Sequence, residues 1–567
     1  MEEARGAEPW RDHYAHPCAW DMPFPPASMV DLFASAASRH GDRPLADFYG
    51  RIYTYAQVMA EARRFAAGLQ AWGLAKGDRV GLFLPNVPAY LPAYFGGMLA
   101  GATMVNFSPL YTAEELEAQV EDSGTRLIVT VDAPALLPRA LTVLRESRLE
   151  RLVVSSLAAQ LPWLTGLAMR LFRRKEIAPV PAASDVVRWD RFLVDSPPAP
   201  VAIDPERDIA LLQYTGGTTG RPKGAMLSHQ NLSANARQIG MIDPHQGQRD
   251  VIMGVLPFFH VFANATVLDR TVYNGGCIAM LPRFDAGQCL KTLARVRATA
   301  MPGVPTMFQA LLDHPDVART DFSSLRACIS GGAPLPAPLK QRFERETGAR
   351  LVEGYGLTEA AGVVTTNPYE GAERPGTIGQ PLPATRLRLL DKEDALADAP
   401  PGQPGELAIL GPQVMQGYWQ RPEAAETAFA RRGDEMWLRT GDVAVFDAEG
   451  YVRIVDRIKD MIAVGGFKVF PSEVEAVLLQ HPAVKEALVI GIPDDYRGEA
   501  PRAYVALMPG MAESGEALAD WLNQRVGKHE RVESVVVRDA LPKTPIGKLD
   551  RKALREEVAA GAAAATA

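Results

Sequence analysis

The sequence predicts an α/β protein: a large N-terminal domain of parallel sheets flanked by helices, a small β-subdomain after it, and a small α+β C-terminal domain. Three observations predict it. Short apolar runs alternate with helical segments through the first half, the pattern of strand–helix–strand units. Gly402 to Trp419 is turn-rich, with alternating stretches such as Glu406 to Leu410. From Pro471 a helical run (Ser472 to His481) precedes two alternating strands, Ala487 to Ile492 and Ala503 to Met508, within a unit of about a hundred residues. At 567 residues the chain exceeds one ordinary core, so two or more domains are expected.

Taken in order, residues 1 to 25 are rich in proline and charge and are expected to drape over the surface. Ser28 to Arg39 follows a helical pattern with Leu32 and Phe33 inward. Arg79 to Leu84, Arg126 to Val131 and Leu152 to Val154 read as strands; Tyr55 to Trp72 and Glu114 to Asp122 read as helices. Pro88 to Leu110 carries no charge and by length alone would admit a membrane span. It holds Pro92, three glycines and Asn106, however, and reads as a buried helix running through Gly101 into a short strand. Leu157 to Glu176 joins bulky apolar residues to a basic tail. It is either an amphipathic element lying on a membrane or over a hydrophobic tunnel, or an ordinary surface helix with a snorkelling basic end. The alanine-rich tail from Ala559 is low in complexity and expected to be disordered.

Composition, at 47% hydrophobic and 22% charged residues, is that of a globular enzyme. The net charge of −7 supplies no basic field, so no nucleic-acid partner is expected. Cys18, Cys277, Cys289 and Cys328 are scattered without CxxC spacing, which argues against a disulfide framework or zinc site and fits a reducing, cytoplasmic compartment. The acidic start, MEEARGAEPW, has no apolar stretch, so no signal peptide is expected.

The strongest chemical signal is Tyr214 to Ala225, YTGGTTGRPKGA. Gly216, Gly217 and Gly220 let backbone amides converge on an anion, Thr215, Thr218 and Thr219 add hydroxyl donors, and Lys223 adds a mobile cation. This is a polyphosphate cradle but not a Walker A loop, because Gly224 follows the lysine. An apolar run, Ile209 to Leu212, precedes it and a helical segment, Ser228 to Gln238, follows, so a strand–loop–helix unit is expected. Further on, GVLPFFHVFAN places His260 where an apolar strand ends; alone, such a histidine is ordinarily structural. ACISGGAPLP (Ala327 to Pro336) and EGYGLTE (Glu353 to Glu359) are glycine turns at strand ends, where open α/β sheets bind ligands. Tyr355 offers a flat face for a base, and Glu359 a hard oxygen for Mg²⁺ riding on phosphates. Asp442, in WLRTGD, either accepts from a ribose diol or closes a Gly-Asp turn. Lys548, in PKTPIGKLDR, sits in an exposed, mobile loop.

These stretches, together with DRIKDMI from Asp456, resemble in order and spacing the acyl-adenylate-forming superfamily of acyl-CoA synthetases, peptide-synthetase adenylation domains and luciferases. The likeness runs from about Ser28 to Arg555 and is greatest to bacterial long-chain fatty-acid–CoA ligases, through VNFSPLYTAEELEAQVEDSG, PGQPGELAILGPQVMQGYWQRPEAAE and GFKVFPSEVEAVLLQHPAVKEA. The resemblance implies a two-step reaction with fatty acid, ATP and coenzyme A as substrates and Mg²⁺ as cofactor: acyl-AMP and pyrophosphate form first, then the thioester. It divides the chain at 1–457 and 458–567, the second part being a small mobile domain that swivels about Lys459.

The resemblance also assigns roles to residues. Lys548 bridges carboxylate and α-phosphate, and Glu359 and Thr215 hold Mg²⁺. Thr218, Thr219 and Lys223 hold the β/γ-phosphates, with Gly216, Gly217, Gly220 and Gly356 completing the nucleotide loops. Gly332, Ala333 and Tyr355 frame adenine, Thr358 meets the α-phosphate, and Asp442 and Arg457 hold the ribose. Gly465, Gly466 and Lys468 serve the coenzyme A tunnel. His260 lines the approach of acyl group and thiol; Phe259, Phe262, Asn264 and Gly331 belong to the acyl pocket. Asn264 departs from a tryptophan gate found there in some long-chain members, which leaves medium-chain, dicarboxylic and aromatic acids open as substrates. A fatty acyl-AMP ligase or carrier-loading enzyme is the nearest rival, a luciferase-like oxygenase shares the motifs, and a silent acyl-binding scaffold would need none of Lys223, Glu359 and Lys548. Family analogy further suggests a homodimer, and Leu157 to Glu176, on its membrane reading, leads to peripheral contact with the inner face of the membrane.

Overall fold

The computed structural model describes residues 8–215, 222–391, 394–465, 467–494, 496–544 and 547–566. The apolar runs of the first half form two largely parallel sheets, as expected. One has seven strands in the order Val186–Arg188, Arg151–Ser155, Thr125–Val131, Arg79–Leu82, Thr103–Asn106, Ile209–Thr215 and Lys223–Ser228. Only its last pair is antiparallel. The second has nine strands around a parallel centre of Pro44–Phe48, Cys277–Met280, Val251–Gly254, Ala300–Gly303, Ala327–Ser330 and Arg350–Tyr355. Helices cover both faces of such sheets, so their strands read as continuous apolar runs rather than alternations. Thr103–Asn106, Val251–Gly254 and Ala327–Ser330 are accordingly buried throughout.

Local chemistry places the helices between them. Thr54 and Gln57 form a capping box at the start of Tyr55–Trp72, and Gly73 ends that helix in the left-handed conformation. The charge-free stretch is a buried helix, Tyr90–Leu99, pressed so closely on its neighbour that a Cβ at Gly96 would stand 2.6 Å from the Ala62 carbonyl oxygen. Gly101, at φ 80°, then turns the chain into Thr103–Asn106. Among the described residues no helix is long and apolar enough to cross a membrane.

Three expectations need correcting. The N-terminal segment is pinned rather than draped: Trp10 is fully buried against Trp20 and Phe446, and the Tyr14 hydroxyl donates to the Pro381 carbonyl at 2.8 Å. The phosphate-cradle loop does not lead into a helix. It joins two antiparallel strands, Ile209–Thr215 and Lys223–Ser228, and the helix His229–Met241 starts only at the far end of the second. Apolar residues within Lys223–Ser228 pair in the sheet, while the capping box Ser228–Asn231 fixes the helix start. The alanine tail extends the helix Arg551–Thr566, since alanine is the strongest helix former and no proline interrupts it.

The turn-rich region forms a small antiparallel sheet containing Arg386–Leu390, Gly405–Leu410, Phe429–Arg432, Glu435–Phe446 and Val452–Arg457. After the single turn Ile458–Asp460, the chain enters a separate sheet built from Ile462–Val464, Phe467–Val469, Val484–Asp494, Gly498–Leu507 and Val535–Arg538. This sheet has its own core around Val474, Leu478, Val489, Val505 and Leu518. Asp460 is tied to the later unit by Arg551 and Arg555, each at 3.0 Å.

Candidate active site

The site gathers where the two parallel sheets present the ends of Ile209–Thr215, Ala327–Ser330 and Arg350–Tyr355. Thr215 ends the first of these strands and stands opposite Lys223 in the antiparallel register. Gly216, Gly217, Thr218, Thr219 and Gly220, the core of the expected cradle, lie outside the described residues. The segment 416–419 runs alongside the returning strand, with Trp419 N donating to Gly224 O at 2.8 Å and Met226 N to Gly417 O at 2.9 Å. This brings Tyr418 under Lys223, whose Nζ is 5.3 Å from the ring centroid. The Tyr418 hydroxyl donates to Glu359 Oε1 at 2.7 Å, and burial together with that carboxylate pushes the phenol up, so it stays a donor.

Sequence reasoning missed this tyrosine, although the stretch QGYWQ entered the family likeness. It also missed Asp122. That carboxylate accepts from Tyr214 Oη at 2.7 Å and from Arg421 Nη2 at 2.5 Å, and the Asp122 carbonyl accepts from Trp419 Nε1 at 3.1 Å. One acid therefore ties the strand Ile209–Thr215 to Trp419 and Arg421, at the end of the segment that runs alongside the returning strand. No local motif marks such a residue, because its partners lie far along the chain.

Glu359 stands in the short turn Thr358–Ala360, which abuts both cradle strands. Its Oε1 is held by Tyr418 and its main chain by Met415 N at 2.8 Å. With Thr215, whose hydroxyl makes only a 3.4 Å contact to Lys223 O, it offers two hard oxygen donors. Among the described residues no cluster of three or more acids, histidines or cysteines could cage a metal alone. A two-oxygen set suits Mg²⁺ that arrives on phosphates and keeps most of its ligands from them and from water. In the same turn, Gly356 cannot carry a side chain, because a Cβ would stand 1.6 Å from the Gly362 carbonyl oxygen.

Opposite, Gly331, Gly332 and Ala333 follow the strand Ala327–Ser330, and Gly332 adopts φ 80°. Leu335 N just beyond donates to Glu353 Oε1 at 3.1 Å; burial pushes that carboxyl up to about 8. Tyr355 donates its hydroxyl to Asp442 Oδ2 at 2.5 Å, and Arg457 Nε lies 3.0 Å from Asp442 Oδ1. Asp442 is thus not a turn residue. It lies within the strand Glu435–Phe446, directly across from Arg457 in the register.

Lys548 is not the exposed, mobile lysine its loop composition suggests. Thr544 N donates to Lys548 O at 2.7 Å, and Thr306 Oγ1 of the first unit donates to Gly547 O at 3.0 Å. A Cβ at Gly332 would lie 2.3 Å from Lys548 Cε, so the ammonium arm lies over that glycine. Burial, and then the nearby charge of Arg457, lower this lysine to about 8, with Asp442 opposing. His260 does not end a strand. It caps the helical segment that begins at Val261, its Nδ1 accepting from Phe262 N at 3.2 Å. Burial and the Lys548 charge hold it down at about 3, so it is a neutral imidazole with Nε2–H free to donate. Phe262 closes over Gly331, where a Cβ would be 2.9 Å from its ring. Asn264 is fully buried and accepts from the Tyr94 hydroxyl at 3.2 Å, and Phe259 offers its carbonyl to Gln213 at 2.8 Å.

The expected coenzyme A residues stand elsewhere. Gly465, at φ 58°, tips the hairpin of Ile462–Val464 and Phe467–Val469, and with Lys468 it is exposed; Gly466 lies outside the described residues. Phe467 beside them stacks on His529 at 3.7 Å. Lys459 is exposed between Arg457 and the anchored Asp460.

A carboxylate and a phosphate meeting beneath Lys548 would find one cation above them, a neutral imidazole donor beside them and an acid–arginine pair for a diol. Comparisons with known proteins agree with that chemistry. The chain matches the AMP-binding enzyme family over residues 33–419 and the AMP-binding enzyme C-terminal domain over residues 473–548. It is 38% identical to a long-chain-fatty-acid–CoA ligase of Bacillus subtilis (strain 168), over 97% of this chain and 98% of that one. It is 39% identical to the long-chain-fatty-acid–CoA ligase of Escherichia coli O6:H1, over 94% of each. The crystal structure of ATP-bound MatB from Rhodopseudomonas palustris superposes with a TM-score of 0.80 at 30% identity, covering 93% of this chain and 98% of that one.

Proposed function

The chain belongs to the AMP-binding enzyme family, and on that premise we propose that it is an AMP-forming acyl-CoA synthetase acting on long-chain fatty acids. The observation that carries the reading is the placement of Lys548. A lysine from the second unit lies over Gly332, beside His260 and the Asp442–Arg457 pair of the first, while the hairpin at Gly465 faces solvent. On this reading one catalytic stretch of the small unit would be engaged and the other withdrawn, which suits an enzyme with two successive steps.

In the first step a carboxylate oxygen attacks the α-phosphorus of ATP, the α–β phosphoanhydride bond breaks, and pyrophosphate leaves. Negative charge concentrates at the α-phosphate, so cations and donors fixed in advance contribute most. Lys548 bridges carboxylate and α-phosphate, Thr358 donates beside it, and Lys223 with the cradle holds the outgoing phosphates. Asp442, set by Arg457 and Tyr355, accepts from the ribose, and Gly332 and Ala333 border the base. Thr215 and Glu359 would hold Mg²⁺, which when bound neutralises phosphate charge.

In the second step the coenzyme A thiolate attacks the acyl carbon and the bond to AMP breaks. We propose that the unit 458–567 rotates about Lys459, withdrawing Lys548 and bringing Gly465, Gly466 and Lys468 to the site. Among the described residues, rotation would break the bonds Gly547 makes to Thr306 and Ser472 makes to Asp456, at 3.0 and 2.8 Å, and the Arg453–Glu473 ion pair at 3.5 Å, contacts polar enough to yield. Neutral His260 then faces the acyl group and the incoming thiol. Homodimer assembly rests on the family likeness and is read out by sedimentation velocity. Contact with the inner face of the membrane is supported by an exposed apolar helix, taken up below.

The test is a panel of acids from acetate to palmitate, with benzoate and pimelate, assayed for AMP formation with and without coenzyme A. Turnover that needs coenzyme A and peaks at long chains is expected. A peak at short, dicarboxylic or aromatic acids would overturn the chain-length assignment and point to Phe262 and Asn264 as blocks in the tunnel. Turnover independent of coenzyme A would overturn the thioester step.

A further inference from the structure

The segment Leu157 to Glu176 folds as two short helices, Leu157–Gln160 and Trp163–Phe172, and a turn, Arg174–Glu176. Gly166 and Met169 face inward; a Cβ at Gly166 would meet the Ala158 carbonyl oxygen at 2.2 Å, so the helix lies flat on its neighbour. Trp163, Leu164, Leu167 and Leu171 then fall within one arc of about 100° on the outer side. With Phe172 they are exposed, Trp163 by 75% and Phe172 by 83%. Of the fifteen large exposed apolar side chains among the described residues, five lie in these ten positions, which is a patch rather than the usual scatter. The apolar face points away from the protein, so the helix does not roof a hydrophobic tunnel. The 490 Å³ cavity beside it mixes apolar residues such as Val58, Pro92 and Trp189 with charged ones, Arg51, Glu61, Asp132 and Arg170 among them.

The same element carries Arg170, Arg173, Arg174 and Lys175, on a chain whose net charge is −7. Among the described residues only Arg173 of these four has an ion-pair partner, Glu176 at 3.5 Å. Arg170 and Arg174 open with Arg188 onto a cleft of 270 Å³. Its one acid, Asp132, is buried with Oδ1 committed to Leu157 N at 2.7 Å.

We propose that Trp163–Phe172 is a docking surface for an anionic lipid bilayer, with Trp163, Leu164, Leu167, Leu171 and Phe172 entering the acyl boundary and Arg170, Arg174 and Arg188 meeting headgroup phosphates. Charge complementarity selects this occupant. A second copy of the chain would bring the same cations and only Glu176 against them, leaving positive charge unmatched. An anionic bilayer offers both the apolar depth and the negative surface. The inference names the surface behind the peripheral contact suggested above. It takes its purpose from the fatty-acid reading, since a bilayer is where long-chain acids collect, but it stands on the patch itself.

The experiment is co-sedimentation of the full chain with phosphatidylcholine vesicles, with and without phosphatidylglycerol. Binding is expected only with phosphatidylglycerol and should weaken as salt rises. The double variant Leu164→Ser/Leu167→Ser should bind at least about tenfold more weakly. Arg170→Ser and Arg174→Ser should each cost roughly fivefold and flatten the salt dependence. Pyrophosphate release from a short, water-soluble acid should match wild type in all variants, which shows that they are folded. Absence of binding, or binding unchanged in the double variant, overturns the proposal. So does a dimer that dissociates in the double variant while vesicles are ignored, since that gives the patch to a second copy. Vesicle binding by a chain that forms no acyl-CoA would instead sink the reaction and leave the docking surface standing.

Discussion

Replacing Lys548 by alanine tests the division of labour between the two steps. The ammonium arm lies over Gly332 beside neutral His260. If it donates one charge-assisted hydrogen bond to the carboxylate and one to the α-phosphate, their loss costs about 3–6 kcal/mol, or roughly 10²- to 10⁴-fold in rate. That loss should fall on adenylation alone, measured as pyrophosphate release from ATP and acid. Thioester formation from supplied acyl-AMP and coenzyme A should stay within about twofold of wild type. The pH profile carries a second, independent signature. Lys548 is lowered to about 8 in the free enzyme, so the charged form needed for adenylation is lost as pH rises through that value. One unit below, about nine-tenths of it is charged, and one unit above, about one-tenth. kcat/KM for adenylation should fall accordingly, because it reports the free enzyme. Lys548→Arg should be slower than wild type, for want of the right geometry, but should lack this descending limb, because a guanidinium keeps its charge. Equal loss of both half-reactions in Lys548→Ala, or the same alkaline limb in Lys548→Arg, would refute the reasoning.

Tyr418→Phe removes the hydroxyl that holds Glu359 Oε1 and should raise the Mg²⁺ concentration for half-maximal pyrophosphate release by about 10- to 100-fold, with little change in melting temperature. Glu353→Gln tests a buried acid. Its folded value is raised to about 8, so the stability it contributes is complete below the unfolded value of about 4.5 and is lost as pH rises through 8. The variant should therefore gain in stability over wild type across that window, by up to about 5 kcal/mol at its alkaline end, read as a rising difference in thermal midpoint; a difference that does not change with pH would contradict the assignment. Gly356→Ala forces a Cβ onto the Gly362 carbonyl oxygen and should destabilise the N-terminal unit by at least about 3 kcal/mol, seen as a lower first thermal transition; an unchanged transition would show that the turn can yield.

The sequence by itself determined the layered architecture and singled out candidate chemistry-bearing positions. Short apolar runs alternating with helical segments marked the strands of parallel sheets, and the local capping bonds at Thr54 and Ser228 hold the starts of two helices. Thr215, Lys223, Tyr355, Glu359, Asp442, Arg457 and Lys548 were legible because their motifs are short and ordered. What only the tertiary structure decided is who touches whom across long separations. Lys548 reads as a solvated lysine in its own loop, and its lowered value arises only because a turn from the second unit lies on Gly332 of the first. His260 reads as a strand-end residue, yet capping and burial make it a neutral donor. Asp122 and Tyr418 were not singled out, since a clamp made of partners 92 and 59 residues apart leaves no periodicity to read. The direction of the 163–172 helix was equally undetermined: its apolar stripe fits a membrane, a tunnel or an ordinary surface helix, and only the close seat of Gly166 on Ala158 turns that stripe outward. Local bonds and periodic burial are written along the chain, whereas desolvation and long-range contact exist only once the chain has closed on itself.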